Sequence, residues 1–124
     1  MRITGFAAGP FQTNCYVVAN GDRAIVIDPG LGAHDVVARL ADEKSFTVEA
    51  VVLTHGHIDH IRDAAAFGVE TFVHPADAFM LLRGDGVSEQ ARELHDASGM
   101  QPIDTPTPLA DGQVLTVAGL LAPV

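Results

Sequence analysis

The sequence predicts an α/β fold organised around one short histidine-rich loop. Three observations carry that reading. The chain opens with apolar strands joined by a tight turn. A helix-spaced segment then separates two further apolar runs. The second of these runs leads directly into Thr54-His55-Gly56-His57-Ile58-Asp59-His60. With 124 residues, 48% apolar and 19% charged, the chain makes one domain or part of one and can bury a core.

Taken in order, residues 2–6 and 15–19 read as strands, with Gly9-Pro10 breaking the chain between them. Asn20-Gly21-Asp22 predicts a hairpin turn into the apolar run 24–27, so the opening is an antiparallel meander. Asp28-Pro29-Gly30 ends the third strand, since Pro fixes φ and Gly supplies a positive φ. Residues 33–43 predict a helix with Val36, Val37 and Leu40 on one face and a solvated His34 in its first turn. The strand ending at Leu53 then completes a βαβ-like step. The histidine loop is thereby placed at the carboxyl end of a strand, where open α/β sheets put their sites.

Residues 58–67 predict a continuous helix, with Ile61, Ala64, Ala65 and Phe67 available for burial and Gly68 as its close. Asp63 is expected on the surface of that helix. Residues 70–73 form the next strand. His74-Pro75 ends it, with His74 a structural or surface residue, and a helix starts at or after Pro75 with Ala78, Phe79, Leu81 and Leu82 on its apolar side. Residues 83–104 are polar and predict a loop with a short helix around 88–97 and an exposed His95. Three prolines make residues 102–108 an extended linker, and residues 113–117 and 120–124 pair as a hairpin around Ala118-Gly119.

The chemistry concentrates in the loop. Neutral imidazole is the commonest metal ligand, and imidazole with carboxylate suits zinc, iron or manganese. His55 and His57 lie two apart, so both rings can turn toward one ion. Asp59 and His60 fall where the helix begins and point to another side, so one loop can offer two ligands to each of two metals. Such a pair of ions can hold a hydroxide nucleophile and clamp the oxygens of a hydrolytic displacement.

The remaining composition excludes several classes. A net charge of −9 opposes binding to nucleic acid or to an anionic membrane surface. No apolar run reaches membrane-spanning length, and the first six residues lack a signal-peptide core. The single Cys15 cannot form an internal disulfide and lies in an apolar strand, which predicts a buried inert thiol and fits a cytoplasmic protein.

Thr-His-x-His-x-Asp-His after an apolar strand resembles the signature of the metallo-β-lactamase superfamily. Phe11-Gln12-Thr13-Asn14-Cys15-Tyr16, Ile25-Val26-Ile27-Asp28-Pro29-Gly30 and His74-Pro75-Ala76-Asp77 are similar to the small hydrolases related to hydroxyacylglutathione hydrolase. The resemblance implies an αββα sandwich, represented here mainly by the first sheet and its helices. It implies that His55, His57, Asp59 and His60 hold one or two zinc ions, with iron or manganese as alternatives. Asp59 is also the implied catalytic carboxylate, and Asp28 and Thr54 would orient the ligands. The implied reaction is hydrolysis of a thioester or ester of a small molecule.

Two departures accompany the resemblance. Arg62 and Asp63 stand where many members carry glycines. No Thr-Pro-Gly-His segment occurs, so residues 1–124 are expected to be the N-terminal part of the family domain, truncated before the third ligand histidine. That would leave an apolar sheet face without its normal cover. A homodimer or a partner chain would then complete the sandwich; otherwise the chain is an inactive remnant.

Overall fold

The computed structural model describes residues 1–117 and the backbone of residues 120–123. Three strands open the chain: β1 (Arg2–Ala8), β2 (Thr13–Asn20) and β3 (Arg23–Ile27). β1 pairs antiparallel with β2, and β2 with β3 through the expected turn at Gly21; helix α1 (Ala33–Lys44) then carries the chain to β4 (Thr47–Val52), which lies parallel to β3. The sheet continues with β5 (Glu70–Val73) and the two-residue β6 (Thr107–Pro108), both parallel, in the order β1-β2-β3-β4-β5-β6. A separate hairpin joins β7 (Val114–Val117) to β8 (Leu120–Pro123); its predicted turn at 118–119 lies outside the described residues, as does Val124.

Register separates the sheet into two faces. Thr4, Val17, Val26, Val51 and Thr71 lie in one row, and their side chains share a face with Cys15 and Phe6. This face meets the helices: Val37 of α1, Ile61 of the short helix α2 (Ile58–Ile61) and Leu81 of α3 (Met80–Arg83) join Val17, Val26 and Val51 in one buried cluster. The opposite face carries the rows Ile3-Val18-Ile25-Ala50 and Tyr16-Ile27-Val52-Phe72. There Ile25, Ala50 and Phe72 pack with Leu109 and with Leu115 of the hairpin. Toward β1 that face opens, and Ile3 is 64% exposed.

Several expectations needed correction. The helix over 58–67 is not continuous: α2 stops at Ile61, and a separate 3-10 turn runs Ala64–Phe67, closed by Gly68 at φ 64°. The cause is local. The Asp63 N–H is donated to the Pro29 carbonyl at 3.0 Å instead of back along the helix. Asp63 is 8% exposed, not a surface acid. Its Oδ2 accepts the His34 N–H at 3.0 Å, capping α1, whose own N-cap Gly32 has no side chain to offer.

His95, expected to be exposed, is fully buried. It follows helix α4 (Glu89–Leu94), donates Nδ1–H to the Ala91 carbonyl at 2.8 Å, and meets the edge of Phe11 at 4.5 Å. The apolar ring contact and the intrahelical bond favour burial over solvation. The segment 102–108 is not wholly a linker, because Thr107 and Pro108 join the sheet beside Phe72 and Val73. After Pro75 the chain makes a 3-10 turn (Pro75–Asp77) before α3. Leu81 is buried as expected, but Phe79 and Leu82 are exposed.

Candidate metal centre

The histidine loop leaves β4 at its carboxyl end. Two backbone devices fix its base. Asp28 closes β3 at φ 56°, a left-handed conformation that Asp tolerates better than most residues. Gly30 then lets the 28–30 turn press against α2, since a Cβ there would run into the Asp59 carbonyl oxygen. No side chain fits at that position without displacing Asp59.

Asp28 is the hub of the polar geometry. Its Oδ1 accepts the Thr54 N–H at 2.8 Å, and its Oδ2 accepts the Thr54 hydroxyl at 2.6 Å and lies 2.9 Å from His60 Nδ1. A carboxylate only accepts, so His60 donates from Nδ1, and its neutral form then carries a lone pair on Nε2. Thr54 has spent its one proton on Asp28, so its oxygen must accept from His55 Nδ1, 3.0 Å away. His55 therefore also presents an unprotonated Nε2. Burial, followed by the neighbouring His60 and His57, holds the His55 ring below the usual histidine range and favours this neutral form.

The predicted ligands are brought together. The His55 ring centroid lies 4.0 Å from that of His60 and 4.8 Å from that of His57. Asp59 Oδ2 is 3.3 Å from His60 Nε2 and accepts the Thr13 hydroxyl at 2.8 Å. A tetrahedral ion with bonds of about 2.0–2.1 Å separates its donors by about 3.3 Å. Asp59 and His60 thus fit two corners of one site. Among the described residues no three His, Cys, Asp or Glu side chains are already arranged around one point. The donors present fit part of a coordination sphere.

Around this cluster lie residues that sequence reasoning did not assign. Thr13 was visible only as part of a motif. Asp77 takes the Gly56 N–H on its Oδ2 at 2.9 Å. Arg62, in place of a family glycine, donates Nε–H to the His95 and Asp96 carbonyls at 3.0 and 2.9 Å, and Nη2 to Asp96 Oδ2 at 3.0 Å. It ties the end of α2 to the segment after α4. His74 is exposed, and its Nδ1 accepts the Ala76 N–H, a capping role. Cys15 is buried, and burial pushes its thiol up to about 12, so it is inert as expected. Beside Thr54 and His74 a cavity of about 410 Å³ opens on the hairpin face, walled by Ile25, Ile27, Val52 and Leu115.

Comparison with known proteins agrees with this architecture. Residues 8–123 match the profile of the metallo-beta-lactamase superfamily. The chain belongs to that superfamily. An uncharacterized protein of Mycobacterium tuberculosis is 52% identical over 87 residues, covering 65% of this chain and 39% of the relative. The hydroxyacylglutathione hydrolase GloC of Haemophilus influenzae is 30% identical over 129 residues, covering 96% of this chain and 57% of that protein. Among solved structures, the BLEG-1 B3 metallo-beta-lactamase superposes with a TM-score of 0.74 at 28% identity, over 97% of this chain and 58% of that one. TTHA1623, solved in a di-iron-bound form, gives 0.73 at 27% identity, over 90% and 56%. The chain thus spans about two fifths to three fifths of the length of these four proteins. Among the described residues no helix is long and apolar enough to cross a membrane.

Proposed function

We propose that this chain carries the metal-binding half of a hydrolase that cleaves a thioester or ester of a small molecule. The observation that carries the reading is the hydrogen-bond arrangement around Asp28, which engages Nδ1 of both His55 and His60 and leaves each neutral ring an unprotonated Nε2, that of His60 3.3 Å from Asp59 Oδ2. His55 and His57 would hold one ion, and Asp59 and His60 a second. Zinc is the first choice, with iron or manganese as alternatives. A bound ion there supplies Lewis acidity, lowering the pKa of water and polarising a carbonyl. Thr13 keeps Asp59 Oδ2 directed at His60, and Asp28 with Thr54 keeps both imidazoles in the donor tautomer. The 30% identity to a hydroxyacylglutathione hydrolase supports a thioester as the substrate class. A cytoplasmic location would suit the free thiol of Cys15.

The test begins with metal content. Protein purified without chelators should carry about one or two equivalents of zinc or iron. His55→Ala and His60→Ala should each lose it, and a hydroxyacylglutathione thioester should be turned over by the wild type but not by His57→Ala.

A second reading is favoured by the open sheet face, where Ile3 is exposed. Residues 1–124 would be the N-terminal part of the family domain, whose remaining ligands come from a second copy or a partner chain. Without one, the chain would be an inactive remnant. Metal and turnover appearing only in a dimeric or mixed-chain fraction would select the completed assembly. No bound metal in any fraction would select the remnant.

A further inference from the structure

The two residues flanking Gly56 are the proposed ligands His55 and His57, and between Thr54 and Ile58 the chain has no helix or strand to hold it. Its two ends are tied, at Thr54 to Asp28 and at His57, whose carbonyl accepts the His60 N–H at 2.9 Å. The middle is held from outside the loop, by the segment 74–86. The Gly56 N–H is donated to Asp77 Oδ2.

Packing at this junction leaves no room for side chains. A Cβ on Gly56 would lie 2.9 Å from the Asp77 carbonyl oxygen and 2.9 Å from Met80 Sδ. Met80 also bears on Gly86, where a Cβ would lie 3.0 Å from its Sδ, and a Cβ on Gly84 would lie 2.7 Å from Ile58 Cδ1. Asp77 itself is fixed by a tight turn, its N–H bonded to the His74 carbonyl at 2.9 Å while the His74 ring caps Ala76.

We infer that Asp77 is a positioning residue for the ligand turn: its carboxylate fixes the Gly56 peptide and through it the spacing of His55 and His57. A hydrogen bond to a carboxylate is about twice as strong as a neutral one, and the peptide it fixes joins one imidazole-bearing residue to the next. If the Gly56 peptide rotated, both rings would move relative to each other. The consequence for metal affinity rests on the metal-centre reading above; the control of the turn does not.

The experiment therefore has a metal-free arm and a metal arm. In the ¹⁵N-labelled metal-free chain, the Gly56 amide should be protected from hydrogen exchange. Asp77→Ala should speed its exchange by roughly tenfold or more. Asp77→Asn keeps an acceptor oxygen and should restore protection, and Asp42→Ala on the exposed side of α1 should leave it unchanged. With cobalt(II) as the probe, Asp77→Ala should weaken binding about 10–100-fold and alter the visible spectrum, with Asp77→Asn recovering both.

Exchange of the wild-type Gly56 amide at the unfolded-chain rate would overturn the inference. So would an Asp77→Ala variant with wild-type exchange and a wild-type cobalt spectrum. If Asp77→Ala does not fold, wild-type protection together with Asp77→Asn decides. A wild type that binds no cobalt but protects Gly56 would sink the metal reading while leaving Asp77 in its place.

Discussion

The two faces of the six-stranded sheet are finished to different degrees. On the helix side, Cys15, Val17, Val26, Val51 and Val73 are all buried beneath α1, α2 and the segment around α3. On the hairpin side, Ile25, Ala50 and Phe72 pack, among the described residues, with Leu109, Leu115 and Val117, and a cavity of about 410 Å³ remains beside the site. The chain's own stability therefore resides mainly on the helix side of the sheet. The helix face is a closed core, and the hairpin face is an apolar surface only partly used. At its open end Ile3 and Tyr16 are exposed.

Mutations on each side should separate the two. Leu81→Ala empties a closed core position and should cost about 2–5 kcal/mol in denaturant unfolding. Leu115→Ala on the hairpin face should fall at the bottom of that range, about 2 kcal/mol, because the adjacent cavity lets the site relax. Equal losses at the two positions would mean that the two faces are packed equally well.

Arg62→Ala tests whether the helix face depends on its polar anchor as well as its apolar packing. Losing the bonds to His95, Asp96 and the Asp96 carboxylate should cost about 1.5–3 kcal/mol by the same assay. Ile3→Ala, at the open end, should change stability by less than about 0.5 kcal/mol.

The smallest effect belongs to the exposed pair Arg23–Glu49, at 2.9 Å across β3 and β4. The Arg23 guanidinium holds the Glu49 carboxyl below the usual carboxylate range. A carboxyl lowered in the fold adds stability above its ordinary range and loses it as pH falls through the lowered value. The difference in melting temperature between wild type and Arg23→Ala should therefore be small at neutral pH and vanish in acid.

Much of this was legible in the sequence. The meander, α1, the β4 run and the histidine loop follow from apolar spacing and turn residues, which act over a few positions. The clustering of His55, His57, Asp59 and His60 follows from their closeness in the chain. What was not legible lies in contacts between distant segments. Asp63 reads as a surface acid until its carboxylate is seen capping α1, and His95 reads as exposed until Phe11 is seen against it. Thr107 and Pro108 form a strand only because β5 offers an edge. No local pattern encodes these partners.

Strand β3 is antiparallel to β2 on one side and parallel to β4 on the other. Its first partner is reached through a tight turn. Its second is reached only after a helical crossover, and Asp28 and Thr54, 26 residues apart, meet at the end of that second pairing. Closing such a loop has an entropic cost that a hairpin avoids. The donor tautomers of His55 and His60 therefore belong to a chain that has completed its first long-range step. The nascent meander alone holds Asp28, but nothing for it to orient.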